Sequence, residues 1–422
     1  MLSIGRLVAG AERYYLSSVA RGREECYTGS GEAPGVWLGA GAARLGLCGP
    51  VDATTLSMLL AGMSPDGEAL LARRVDPSKR VAGLDLTFSA PKSVSLLYGL
   101  GDAGISGTVR DLHAEAVADA LGYLERRALR VRRGAGIAAL LGAEGFVAAA
   151  FVHRTSRAGD PQLHTHVLVA NLAYGDDAKW SALWPRLIYH HARTAGFLYQ
   201  ASLRARLTDA LGVRFGPVKN GAAEIEGISK SVLRGFSTRR QAIEAHLANL
   251  GAESPSAAQV AALVTRTPKL PAAAVGSDEG LRARWRTRAH ELGLDPASIA
   301  RLLGAHGCEA LSDARRRALV AHLVGEGGLT AADSVFERRD VVRGVAALLG
   351  DGASAGEIEG VADLVLGADG VVALAGATPR SWSRRAASAA KCPATRRAAI
   401  ELYVKWCTVS PWLRRVSGSI SA

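Results

Sequence analysis

The run FVAAAFVHRTSRAGDPQLHTHVLVANL, residues 146–172, decides how this chain is read. Two β-prone stretches, Phe146–His153 and Leu163–Leu172, flank the polar connector Arg154–Gln162. Such a pattern predicts a hairpin whose loop is too long for a tight turn. In the second strand, alternation puts Leu163, Val167 and Val169 on one face and His164 and His166 on the other. His153 ends the first strand, where antiparallel pairing brings it beside them. Three imidazoles gathered in this way can hold a divalent metal with positions left for water or phosphate. Singly, each histidine reads as a satisfied structural residue; it is the group of three that points to a metal. Nitrogen donors leave magnesium, manganese and zinc all open, with softness favouring zinc or a later transition metal. His190 and His191, adjacent on a helix, point in different directions and read as structural.

Working outward, Val81–Tyr98 alternates and then runs apolar, which predicts a strand ending near Ser89 and a helix with Pro91 in its first turn. Asp85 is a polar residue in this otherwise apolar strand. It is the candidate partner for the second ring nitrogen of a metal-bound histidine, a surface place on an edge strand being the other option. Helices are expected over 52–73, 107–133 and 187–211, with several short ones over 222–330. A small helical unit follows over 331–375, with Val341, Val342, Val345 and Leu348 on one face. Residues 3–27 read as a short helix-like stretch and a polar loop. That segment carries Tyr14, Tyr15 and Tyr27, whose phenols, with a pKa of roughly 10, are poor nucleophiles unless the phenolate is stabilised.

The 422 residues allow two or three domains, and a hydrophobic content of 48% supports sizeable cores. Lys and Arg number 51 against 39 acidic residues, a formal charge of +12 that favours a polyanionic partner. Five cysteines without a C-x-x-C pair suggest neither a zinc ribbon nor a disulfide scaffold. Arg6, Glu12 and Arg13 interrupt the N-terminal segment, and no run of eighteen apolar residues occurs, so a cytoplasmic protein without membrane insertion is expected. After Pro379 the chain carries nine Lys or Arg and one acidic residue; an unstructured basic end is expected there.

Several motifs together resemble one family. DLTFSAPKSVS (85–95), HRTSR (153–157) and PQLHTH (161–166) are similar to the TrwC/TraI-type (MobF) conjugative relaxases, and WLGAGA (37–42), LGLCGPVD (45–52) and LLAG (59–62) agree in order and spacing. The resemblance spans roughly residues 1–300. It implies an α/β (α+β) fold of the HUH type, a central antiparallel sheet with flanking helices. A small helical unit at 301–378, like the lead-in to a helicase, and the tail 379–422 follow. It also implies a single-strand DNA transesterase that nicks a transfer origin through a 5′-phosphotyrosine. His153, His164 and His166 would hold the metal, magnesium or manganese first and zinc also open, with Asp85 orienting a histidine or assisting proton removal. Tyr14 would attack, Tyr15 is its fallback and Tyr27 serves a second transfer. Lys92 and Arg157 are candidate phosphate or structural contacts. The implied partners are single-stranded or hairpin origin DNA, with a helicase and accessory relaxosome proteins in trans. Two departures stand out: one tyrosine where relatives often carry a second doublet, and no G-x-x-x-x-G-K-[ST] loop. A truncated remnant that binds origin DNA without cutting is the alternative.

Overall fold

Period-two alternation builds the sheet on which the site rests. The computed structural model describes residues 1–8, 34–71, 80–134, 139–250, 278–304, 306–307, 309–331, 335–374 and 381–384. Its first seven strands are β1 (Leu2–Val8), β2 (Val36–Leu38), β3 (Val81–Ser89), β4 (Val131–Arg133), β5 (Ala139–Leu141), β6 (Ala148–Thr155) and β7 (Pro161–Ala170). Five form one antiparallel sheet in the order β1-β3-β7-β6-β2, while β4 and β5 pair separately.

One face of the sheet buries Leu84, Leu86, Phe88, Leu163, Val167 and Val169. Against it lie helices Lys92–Leu100, Ala103–Ala128 and Arg186–Leu211. Asp102 caps the second of these, accepting the Ile105 N–H at 2.9 Å. The described residues cover part of the other face. There, Leu7, Ala149, Phe151, Leu168 and Ala170, from strands across the sheet, pack with Trp37 and the helix Ala53–Ala61 into a smaller cluster.

A buried polar bridge ties sheet to helices between two of the candidate metal ligands. Thr165 points away from them into the large core, where its Oγ1 lies 2.7 Å from His113 Nε2, and His113 Nδ1 lies 2.8 Å from the Tyr199 hydroxyl. Burial, aided by the positive fields of His164 and the N-terminal ammonium, pushes the His113 pKa down to about 3 from 6.5. Below pH 6.5 the unfolded chain therefore takes a proton that the folded chain refuses. The bridge contributes its full stability above that pH and loses it as the pH falls toward 3. Between pH 7 and pH 5 this group alone should cost about 2 kcal/mol in urea unfolding. His113→Gln, which keeps a polar bridge without a titratable ring, should show a correspondingly shallower dependence; equal slopes in the two proteins would refute the assignment.

Sequence and structure differ at instructive places. Leu2–Val8, at the start of the segment read as a helix-like stretch and a polar loop, is the edge strand β1, and Gly5 lies opposite Asp85 in its ladder. The helix expected to reach 73 stops at Ala61, because Gly62 takes up the left-handed conformation, φ 80°, and ends it. The hairpin loop is shorter than expected: β6 and β7 both run on, leaving a turn at 156–160 with Gly159 at φ 79°. Strand Ser381–Arg384 pairs with Val371–Ala373 and Phe336–Glu337, so part of the expected tail is sheet; its other residues lie outside the described set.

Helices Arg338–Leu348 and Ala355–Leu366 dock on the body of the protein. Val341, Val342 and Val345 are buried as their spacing predicted. Glu359 receives hydrogen bonds from Arg126 at 2.7 Å and Arg127 at 2.8 Å. Among the described residues, no helix is long and apolar enough to cross a membrane.

Candidate metal centre

The register of β6 against β7 makes His153 and His164 direct cross-strand neighbours, and His166 follows two residues on, opposite Phe151. Directly opposed side chains in an antiparallel pair stand about 4.5–5.5 Å apart at Cβ, so three histidines in this register form a compact triangle. Their ring centroids are 5.4 Å (His153–His164), 5.2 Å (His153–His166) and 5.2 Å (His164–His166) apart. His153 is buried, whereas the His166 side chain is 18% exposed, so the triangle opens on one side.

Hydrogen bonds fix the chemistry of two rings. His164 Nδ1 lies 2.9 Å from the Gln162 carbonyl oxygen, and His166 Nδ1 lies 2.9 and 3.0 Å from the two Asp85 oxygens. Carbonyl and carboxylate oxygens only accept, so each Nδ1 carries the proton and each Nε2 presents the lone pair. This is the tautomer a metal needs, with a carboxylate or carbonyl behind the ligand. Convergence is not complete: His153 and His164 stack at 26°, and among the described residues no three such side chains are already drawn into a metal-holding arrangement. Centroids about 5.3 Å apart nonetheless lie near 3.1 Å from their common centre, roughly the ring radius plus a 2.0–2.1 Å metal–nitrogen bond. With their torsions turned so that the donors face that point, rings at this spacing would fit a divalent ion.

Asp85 sits on an interior strand, β1 covering its outer flank, so the edge-strand surface position does not apply. Thr87, not singled out in the sequence, joins it: its Oγ1 is 3.1 Å from Asp85 Oδ1 and 3.1 Å from His166 Nδ1. The signal was available, since Thr87 is two residues from Asp85 on an alternating strand.

Lys92 has a structural partner. Its ammonium donates to the Pro161 carbonyl at 2.7 Å, binding the first helix to the start of β7. Burial lowers its pKa, and the nearby Asp160 and Glu224 oppose that shift. Arg157 lies half-buried in the 156–160 turn that joins the histidine-bearing strands. The turn is anchored by buried Asp160, which accepts from the Thr238 N–H at 2.9 Å and Arg288 at 3.1 Å, contacts no local motif foretold. Tyr14, Tyr15 and Tyr27 lie outside the described residues.

Residues 8–292 match the model of the TrwC relaxase family. The multifunctional conjugation protein TraI of Escherichia coli is 35% identical over 269 residues, which are 61% of this chain and 14% of that protein. The chain thus spans about a seventh of the length of this relative. The structure of TrwC complexed with a 27-mer DNA comprising the recognition hairpin and the cleavage site is similar at 32% identity and a TM-score of 0.60, covering 70% of this chain and 99% of that one. A metal-bound structure of the conjugative relaxase TrwC with oriT DNA is similar at 32% identity, the same coverage and a TM-score of 0.61. With two thirds of its length inside the family match, the chain belongs to the TrwC relaxase family.

Proposed function

We propose that this chain is a metal-dependent, strand-specific DNA transesterase that nicks and rejoins a transfer origin in conjugation. The observation that carries the reading is the triangle of His153, His164 and His166 on the open sheet face, with Asp85 behind His166. Tyr14 is assigned as the nucleophile and Tyr15 as its fallback. The phenol gives up its proton as its oxygen attacks the scissile phosphorus, the P–O3′ bond breaks, and the 3′ oxygen takes up a proton and leaves as a hydroxyl. The 5′ phosphate stays esterified to tyrosine, so one ester replaces another and the strand can be resealed. Tyr27 is assigned to the second transfer that ends the cycle.

His153, His164 and His166 would hold the ion through their imidazole nitrogens, and Asp85 would keep His166 in the ligating tautomer. A bound divalent cation supplies charge withdrawal from the scissile phosphate and steadies the leaving oxygen. Magnesium or manganese is assigned first, with zinc open; solved TrwC complexes include metal-bound and copper-bound forms. Origin DNA with a hairpin is the proposed substrate, as in the TrwC complexes. Arg157 is kept as a phosphate contact; Lys92, engaged with Pro161, is not. The +12 charge supplies a salt-sensitive part of the affinity through counterion release.

The test is cleavage of single-stranded DNA from the neighbouring origin region with magnesium or manganese, for wild type and Tyr14→Phe. A protein–DNA adduct that survives denaturation and vanishes in the variant is expected. Tight binding by folded protein with no adduct in any metal would instead favour an origin-binding protein that does not cut.

A further inference from the structure

Strand β7 is irregular just before His164. His153 pairs with His164 and Thr155 with Pro161, so β7 holds one residue more than β6 over this stretch, a β-bulge. Bulges beside functional sites re-aim a side chain. Three successive peptide units here each have an identified tie. The Pro161 carbonyl accepts from Lys92 Nζ at 2.7 Å, and the Leu163 carbonyl accepts from the Ala90 N–H at 3.0 Å. Between these two lies the peptide that joins Gln162 to Leu163. Its carbonyl oxygen lies 2.9 Å from His164 Nδ1, and its N–H donates to Ser95 Oγ at 3.1 Å. A trans peptide is planar, its N–H and C=O pointing opposite ways, so anchoring one fixes the direction of the other. The protons balance. The Ser95 hydroxyl donates to the Pro91 carbonyl at 3.1 Å, which leaves an oxygen lone pair for the Leu163 N–H. Ser95 and Leu163 are both fully buried, so the pairing is shielded from solvent.

We propose that Ser95 is a positioning residue for His164: through one peptide plane it aims the Gln162 carbonyl at Nδ1 and so turns Nε2 toward the metal. This rests on the reading of the three histidines as ligands. In Ser95→Ala the buried Leu163 N–H loses its acceptor, at a cost of about 1–3 kcal/mol if nothing moves. That cost favours a tilt of the middle peptide, which carries its carbonyl away from His164. Lys92 and Ala90 hold the peptides on either side and keep the strand in place. Ser93 supplies a matched control on the same helix. It is equally buried, and its Oγ accepts the Ile225 N–H at 2.8 Å, so Ser93→Ala costs another buried N–H its acceptor on a bond that does not go to β7.

The experiment uses the full chain as wild type, Ser95→Ala and Ser93→Ala. Proton–nitrogen correlation spectra of the metal-free protein follow the Nδ1–H of His164, whose resonance position and exchange with water report its hydrogen bond. Titration calorimetry with manganese alone reports affinity, and urea unfolding reports stability. Both variants should lose similar stability. Only Ser95→Ala should shift the Nδ1–H resonance, speed its exchange and bind manganese about 10-fold more weakly, within the range usual for groups that orient metal ligands. A folded Ser95→Ala protein with wild-type resonance and affinity would overturn the proposal. Equal changes in Ser93→Ala would overturn it too, because general loosening of the helix would then suffice. Absence of manganese binding by wild type would instead strike at the ligand reading, and the metal-free spectra would still decide the role of Ser95.

Discussion

His164→Ala is expected to abolish divalent-metal binding and covalent adduct formation while leaving the fold intact. Of the three histidines this is the one whose loss is cleanest. Its Nδ1 bond goes to the carbonyl of Gln162 two residues away, and the side chain is half-buried on the open face rather than in the core. Removing His166 would take a donor from Asp85, and removing buried His153 would leave a hole in the sheet face. Groups that merely orient ligands are worth about 10–100-fold in metal affinity, so loss of one of three ligands should cost on the order of 100-fold or more. Cleavage should fall at least as far, since the phosphate loses both its anchor and its charge withdrawal. Thermal stability should change little, a partly exposed side chain contributing within about 1 kcal/mol. The measurements are manganese titration and adduct formation on single-stranded origin DNA, with circular dichroism as the control for folding. Chelation of wild type should reproduce the variant's loss of cleavage, and added manganese should rescue wild type alone. A variant that binds manganese normally and still forms adducts would remove His164 from the site.

The parts of this site that could be read in advance are those governed by local periodicity. His164 and His166 share a face because a strand repeats every two residues, and Asp85 stood out because a polar residue interrupted an apolar strand. Facing His153 with His164 needed only the hairpin, which the intervening Gly and Pro announced. What escaped prediction depends on partners far away in sequence. Leu2–Val8 has too weak an apolar alternation to declare itself, because as an edge strand it is largely exposed and is held by its ladder to β3. Lys92 was a candidate for either a phosphate or a structural contact; the bond it makes depends on the carbonyl of Pro161, which only the fold brings near. Arg204 falls in the same class. Nothing in the local pattern of its helix sets it apart from the other arginines there, yet it is fully buried.

That burial leads to the second large expected effect, on stability rather than chemistry. The Arg204 guanidinium donates to four backbone carbonyls: Gly350 at 2.9 Å, Gly221 and Leu349 at 3.0 Å, and Ala346 at 3.2 Å. Ala346 lies in the last turn of helix Arg338–Leu348, and Leu349 and Gly350 follow directly; such carbonyls lack intrahelical partners and carry the negative end of the helix dipole. Burial lowers the Arg204 pKa to about 10, with Asp351 opposing the shift, so the group remains charged at neutral pH. Arg204→Met keeps the apolar stem but leaves four carbonyl acceptors, three of them on buried residues, without their donor. The expected cost is about 3–5 kcal/mol in denaturant unfolding, the range for breaking a buried charged network. Arg204→Lys should recover only part of it, because one ammonium lacks the planar fork that reaches several acceptors at once. Gly352→Ala attacks the same seam by another route: its φ is +84°, and an added Cβ would lie 1.9 Å from the Ala201 carbonyl oxygen. Both variants should lower protection against hydrogen exchange first in helices Arg338–Leu348 and Ala355–Leu366, which lie beyond the family match at residue 292. Manganese affinity, measured below the unfolding transition, should stay near wild type, because the histidines occupy the opposite face of the sheet from the Arg186–Leu211 helix. An Arg204→Met protein within about 1 kcal/mol of wild type would show that water replaces the guanidinium at these carbonyls without loss. The two helices would then be held by their apolar faces and by Glu359 with its arginines.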